Sequence, residues 1–87
     1  MDEEKLMEKL KEEGFERVYV WEDSPNAYHP NHTHSTETAH IIVKGAIDIV
    51  LYGKTYKLKE GDCLDVPANK VHSARVGKEG CRYIIGE

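Results

Sequence analysis

The sequence predicts an all-β fold preceded by one α-helix. From residue 15 onward, short strand-forming segments alternate with Gly and Pro turn residues, a pattern typical of a sandwich or barrel. Residues 2–13 instead carry Leu6, Met7 and Leu10 on one helical stripe. Because 87 residues are enough for one domain, we expect a single domain over 1–87, with the helix at about 2–13 and a barrel at about 15–86.

The predicted helix has signals at both ends. Asp2 is a suitable N-cap, and the acidic Glu3 and Glu4 favour the positive end of the helix dipole. Gly14 stands where a helix commonly ends in the left-handed conformation. A helix of this length is marginal alone, so its apolar stripe must pack on the rest of the domain or on a second subunit.

The β region divides into short strands. Residues 15–21 have side chains that alternate with period two, which predicts the first strand. Residues 28–31 are expected to be extended, because Pro30 moves His29 out of helical geometry. Gly and Pro residues separate the later segments. These further strands are expected at 32–35, 38–44, 46–52, 55–58, 63–66, 71–76 and 81–85.

Composition excludes several function classes. The net charge is −4 and the lysines and arginines are scattered, so we expect no nucleic-acid partner. No apolar run approaches the ~20 residues of a membrane span, and the acidic start Met1–Glu4 is unlike a signal peptide. We therefore expect a cytoplasmic protein without a membrane partner. Cys63 and Cys81 lack CxxC spacing and are expected to be buried free thiols.

Histidines are the candidate chemical groups. The chain has five of them, and His29, His32, His34 and His40 fall close together. On a strand, His32 and His34 would share one face. Two adjacent imidazoles disfavour protonation, and the neutral ring is the commonest metal ligand. His72 lies on a later predicted strand and would join the pair if the barrel closes.

The spacing of these residues resembles the two motifs of the cupin superfamily. His32-Thr33-His34, position 38 and Gly45 are similar to the first motif. Gly61, Pro67-Ala68-Asn69 and His72 are similar to the second, with Asn69 in the place of the usual glycine and Val76 in that of the usual asparagine. The two motifs extend from His32 to His72.

This resemblance implies a double-stranded antiparallel β-helix, or jelly-roll barrel, with a metal inside. His32, His34 and His72 match three of the family's four ligand positions. The fourth, usually glutamate, is Thr38, a poor ligand. Glu37 lies one residue out of register, so it would need a bulge to reach the metal. His40 shares the parity of Thr38 and would lie deeper, as a ligand, hydrogen-bond partner or acid–base group.

We therefore expect one divalent transition metal on three histidines, with zinc, iron, nickel, manganese and copper all open. The alternative is a polar histidine cluster without metal. Expected pocket residues are Tyr28 and Thr38, with His40 and Glu37 as candidate catalytic groups. His29, before Pro30, is expected to be an exposed loop residue.

Three functions stay open at this point. The first is a metal-dependent oxygenase, isomerase or lyase that acts on a small polar metabolite. The second is a non-catalytic sensor or carrier that holds a small molecule in the barrel. The third is a barrel that serves only association. A homodimer is expected because small barrels leave sheet edges that need cover.

Overall fold

The computed structural model describes residues 2–87 and shows one helix and six strands. All strand pairings are antiparallel. The prediction of an all-β barrel with one N-terminal helix is confirmed. No helix in residues 2–87 is long and apolar enough to cross a membrane. The elements are α1 (Glu3–Glu12), β1 (Val18–Asp23), β2 (Tyr28–His32), β3 (Thr38–Leu51), β4 (Lys54–Lys59), β5 (Cys63–Val66) and β6 (His72–Gly86).

Helix α1 is capped as predicted and packs on the outside of the sheet. The Asp2 carboxylate accepts a hydrogen bond from the Lys5 backbone N–H at 3.2 Å. Leu10 is buried in a cluster with Ile84 of β6 and with residues of the first half of β3. The Arg82 guanidinium donates to both carboxylate oxygens of Glu3, at 2.8 and 3.0 Å. The helix therefore covers a face of this same chain.

Two pairs of predicted strands merge, which corrects the expected strand count. The segments 38–44 and 46–52 form the continuous strand β3, and 71–76 and 81–85 form β6. In β6, residues 77–80 stand opposite Ala46 alone, while β3 runs on through Gly45. Gly45 therefore lies within a strand and not in a turn. It has φ of +81°, and the register of β3 against β6 shifts on both sides of it.

The two long strands organise the rest of the sheet. The first part of β3 pairs with β5 and with the end of β6, and the second part pairs with β4 and with the start of β6. Strands β1 and β2 extend the sheet on the far side of β6. Residues from both parts meet in one apolar core. That core contains Ile42, Ile47, Ile49, Leu58, Ala74, Val76, Cys81 and Tyr83.

The two cysteines differ from each other. Cys81 is buried, and this burial raises the pKa of its thiol to about 11. Cys63 is exposed, so the expectation that both thiols are buried is wrong for this residue. It lies on β5, where it pairs opposite Ile41.

Candidate metal centre

Three imidazoles converge where β2 ends and β6 begins. The antiparallel register sets His32 opposite His72, and their ring centroids are 4.1 Å apart. The His34 ring lies 4.9 Å from His32 and 5.2 Å from His72. One ring nitrogen of each residue lies within 4.8 Å of the others. In the described part of the chain, this is the one cluster of histidine, cysteine or carboxylate groups arranged to hold a metal.

His34 reaches the cluster by a different route from the predicted one. Strand β2 runs from Tyr28 to His32, not over 32–35, so His34 lies in the loop after it. The Asn69 backbone N–H donates to the His34 carbonyl oxygen at 2.7 Å and so fixes this loop. Asn69 has φ of +62°, the left-handed conformation for which its family position uses glycine. A hydrogen bond between the two motif loops thus replaces the strand as the support of His34.

The backbone sets which nitrogen two of these rings present. His32 Nδ1 lies 2.7 Å from the Pro30 carbonyl oxygen, and His72 Nδ1 lies 3.0 Å from that of Lys70. A carbonyl oxygen can only accept, so both Nδ1 atoms carry the proton and both Nε2 atoms have a free lone pair. Metal-binding histidines in proteins are commonly oriented in this way.

The electrostatics also suit a divalent transition metal. Burial, reinforced by the neighbouring His32, lowers the pKa of His34. Burial also lowers the pKa of His72, although the hydrogen bond to the Lys70 carbonyl oxygen acts in the opposite direction. Both rings are therefore neutral at neutral pH, the form that binds metals. Zinc–nitrogen bonds of about 2.0–2.1 Å need nitrogens closer together than 4.8 Å, so the rings must tighten modestly around an ion.

The cluster opens into a cavity of about 180 Å³. Trp21 is at its open side with half of its side chain exposed, while Ile47, Ile49 and Ala74 are buried in its wall. Thr38 lines the cavity at the fourth motif position, but its hydroxyl donates to the Thr36 carbonyl oxygen at 3.4 Å. The full lining is Trp21, His29, His32, His34, Thr38, His40, Ile47, Ile49, His72, Ala74, Tyr83, Ile85 and Glu87.

His40 is a buried, neutral imidazole in the same cavity. Its Nδ1 lies 3.3 Å from the Leu64 carbonyl oxygen, so this nitrogen carries the proton and donates. Burial lowers the pKa of His40 to about 4, against the opposing effect of that hydrogen bond. Its Nε2 is therefore an acceptor at neutral pH. His40 lines the cavity, as its parity with Thr38 predicts.

This burial predicts that the metal-free protein loses stability in mild acid. The unfolded chain takes up a proton on His40 near pH 6.5, but the folded chain does so only near pH 4. The contribution of neutral His40 to the free energy of unfolding is thus fully present above pH 6.5 and falls as the pH drops toward 4. The full loss attributable to His40, reached below pH 4, is about 3 kcal/mol, of which about 2 kcal/mol falls between pH 7 and pH 4.5. Urea unfolding with a chelator, at pH 7 and at about pH 4.5, measures it.

The matched comparison for this acid effect is His40→Gln. The lowered pKa values of His34 and His72 also reduce stability in acid, but they do so in both proteins. Their effect therefore cancels when the two losses are compared. We expect the variant to lose about 2 kcal/mol less than the parent between the two pH values. Equal losses in the two proteins would show that His40 is not held neutral by burial.

Two candidate residues lie outside the cavity. Glu37 is exposed beside Thr36 in a shallow surface pocket and is absent from the cavity lining, so the bulge needed to bring it inward does not exist. Tyr28 is 53% exposed and stacks under the Arg75 guanidinium at 4.4 Å instead of lining the cavity. Glu37, expected as a candidate catalytic group, and Tyr28, expected as a pocket residue, thus do not line the cavity.

Sequence reasoning missed His29 and Asp23. His29 lies on β2 and lines the cavity, not an exposed loop, because the pairing with β6 slips between His29 and His32. Pro30 within this strand is the signal for that irregularity. Asp23 accepts hydrogen bonds from Tyr83 Oη at 2.7 Å, His29 Nε2 at 2.9 Å and Trp21 Nε1 at 2.9 Å. Burial raises the pKa of Asp23, but these three bonds more than offset it, and the net shift is downward.

The fold and the histidine geometry agree with a comparison against known families. The family described as a cupin domain, Cupin_2, matches residues 19–85. The chain belongs to the cupin family. Comparison with curated proteins gave no match.

Solved cupin structures share the fold at low sequence identity. KdgF from Halomonas sp. has a TM-score of 0.68 at 19% identity, with 79% of this chain and 66% of that chain covered. A cupin-2 domain containing protein from Shewanella frigidimarina has a TM-score of 0.70 at 21% identity, with 80% and 67% covered. The DMSP lyase DddQ from Ruegeria pomeroyi has a TM-score of 0.72 at 23% identity, with 78% and 35% covered. This cupin thus spans about two thirds or less of each of these chains.

Proposed function

We propose that this cupin is a metal-dependent enzyme that catalyses proton transfer on a small metabolite, as an isomerase or a lyase does. The observation that supports this is the presence of two kinds of imidazole in one cavity. His32 and His72 present free Nε2 atoms to a common point together with His34, and His40 is a separate neutral acceptor in the wall. Relatives of similar fold include a protein described as a lyase.

The residues would divide the work as follows. His32, His34 and His72 would hold one divalent metal, which supplies Lewis acidity toward an oxygen of the metabolite. His40 Nε2 would accept a hydrogen bond from the metabolite and then its proton. The buried Ile47, Ile49 and Ala74 exclude water from that side of the cavity, which strengthens electrostatic interactions there.

A second candidate function is a carrier or sensor that binds a metabolite without turnover. The low pKa of His40, about 4, favours it, because a general base is most effective when its pKa lies near the working pH. An oxygenase, which the sequence analysis includes among the metal-dependent enzymes, is also compatible with the site, since three-histidine sites accept iron. The homodimer predicted from the sequence stays a prediction.

Deuterium exchange on 2-oxobutyrate tests the enzyme proposal. The zinc-loaded protein is incubated with this probe in D₂O, and loss of its C3 proton signals is followed by NMR. We expect exchange above the rate of the chelator-treated protein, and a loss of roughly 100-fold in His40→Asn, the size usual for a removed general base.

Glu37→Gln is the matched control for this experiment, because Glu37 lies outside the cavity. It should exchange at the parent rate. Saturable binding of 2-oxobutyrate without exchange would contradict the enzyme proposal and favour the carrier. An equal loss in both variants would remove His40 from the mechanism.

A further inference from the structure

The wall of the cavity has almost no free hydrogen-bond donors. Trp21, His29 and Tyr83 each turn a donor toward Asp23, whose side chain is 8% exposed. The hydroxyl of Thr38 is taken by a backbone carbonyl oxygen. Asp23 therefore occupies the donors that would otherwise face a ligand.

Among residues 2–87, the same wall has no lysine or arginine side chain to pair with an anion. Its one carboxylate is Glu87, which pairs with Arg17. His40 offers only a lone pair on Nε2, since Nδ1 donates to Leu64. An anionic group lodged against this wall would lose its hydration and gain no partner, which costs free energy.

The remaining wall is apolar and the space is small. Ile47, Ile49, Ala74 and Ile85 supply most of it. The cavity measures about 180 Å³. A ligand that places its polar end at the histidines has room for a short alkyl chain beyond.

We propose that this cavity selects ligands with one metal-binding oxygen group and a short uncharged apolar tail, and that it rejects tails ending in a second anionic group. The inference rests on the metal site of the proposed function and narrows its substrate class. The "small polar metabolite" expected from the sequence becomes an amphiphilic one. Each methylene that enters the cavity should tighten binding about fourfold.

Hydroxamates test this preference, because they chelate divalent metals through two oxygens. Zinc-loaded protein is titrated by calorimetry with acetohydroxamate, butyrohydroxamate and succinomonohydroxamate, and zinc is assayed in the same samples. We expect butyrohydroxamate to bind about 15-fold more tightly than acetohydroxamate, which has two methylenes fewer. Succinomonohydroxamate, in which a carboxylate replaces the terminal methyl group of butyrohydroxamate, should bind at least tenfold more weakly than butyrohydroxamate.

A charge introduced into the wall should reverse the order. Ile85 is half-buried and lines the cavity. In the variant Ile85→Lys, the new ammonium group can therefore reach the tail of a bound ligand. We expect this variant to bind succinomonohydroxamate more tightly than butyrohydroxamate. Val50→Lys adds the same charge at an exposed site on β3 that does not line the cavity, and it should keep the parent order.

The outcomes separate this inference from the proposed function. Three outcomes with zinc bound would overturn the inference and leave the metal site standing. The hydroxamates could bind with equal affinities, they could fail to bind, or the one with the carboxylate tail could bind most tightly. Less than a tenth of an equivalent of zinc would overturn the metal site and the inference together. If Ile85→Lys does not fold, the parent series alone decides.

Discussion

Gly45→Ala is expected to remove a large part of the stability of this protein. The residue has φ of +81°, a conformation that costs alanine about 1–2 kcal/mol. A Cβ at this position would also clash with the Gly80 carbonyl oxygen of the neighbouring strand β6. Overpacking of this kind adds about 1–3 kcal/mol. A sum of about 4 kcal/mol is large against the total stability of about 5–15 kcal/mol that a domain has.

Gly53→Ala is the matched control for the steric part of that loss. Gly53 also has a positive φ, +71°, but a Cβ there meets nothing within 4 Å. We expect it to cost only about 1–2 kcal/mol. Urea unfolding followed by circular dichroism compares the three proteins. If the two variants lose equal stability, the close approach of β3 to β6 at Gly45 is not the reason for this glycine.

His72→Ala is expected to abolish stabilisation by metal. A ligand present at ~1,000 times its Kd stabilises the folded state by about 4 kcal/mol, which in a small domain raises Tm by roughly 15–30 °C. The parent should show a shift of this size with a divalent transition metal. The variant keeps only His32 and His34 and should shift by less than about 5 °C at the same concentration.

Val71→Ala serves as the control in the thermal series. Val71 precedes His72, is 56% exposed and does not belong to the histidine cluster. This variant should keep the full shift. A shift of the parent size in His72→Ala would place the metal elsewhere on the chain, and no shift in any of the three proteins would argue against a metal site.

The metal cluster could be predicted from the sequence because the spacing of the histidines within the two motifs is tied to the cupin fold. A strand pairing that sets His32 opposite His72 follows from the two motifs taken together, and the structure has this pairing. The detail for His34 was not predictable from periodicity. Its position depends on the Asn69 backbone N–H, a contact between loops that are far apart in the sequence.

The errors in the strand pattern share one physical cause. Gly45 and Gly77–Gly80 were expected to end strands, because glycine usually marks turns. Here β3 continues through Gly45, and its register against β6 shifts on both sides of that residue. The irregularity between His29 and His32 lets both side chains line the cavity. A one-residue irregularity reverses every parity argument beyond it. For this reason His29 escaped the sequence reasoning.

Metal content of the purified protein tests the central claim most directly. Elemental analysis of the parent and of His72→Ala should find about one equivalent of zinc, iron, nickel, manganese or copper in the parent and almost none in the variant. The element found then selects the chemistry to assay, since iron directs attention to oxygen and zinc or manganese to proton transfer. No metal in the parent, even after incubation with each of these divalent ions, would contradict the account and leave a metal-free ligand-binding barrel in its place.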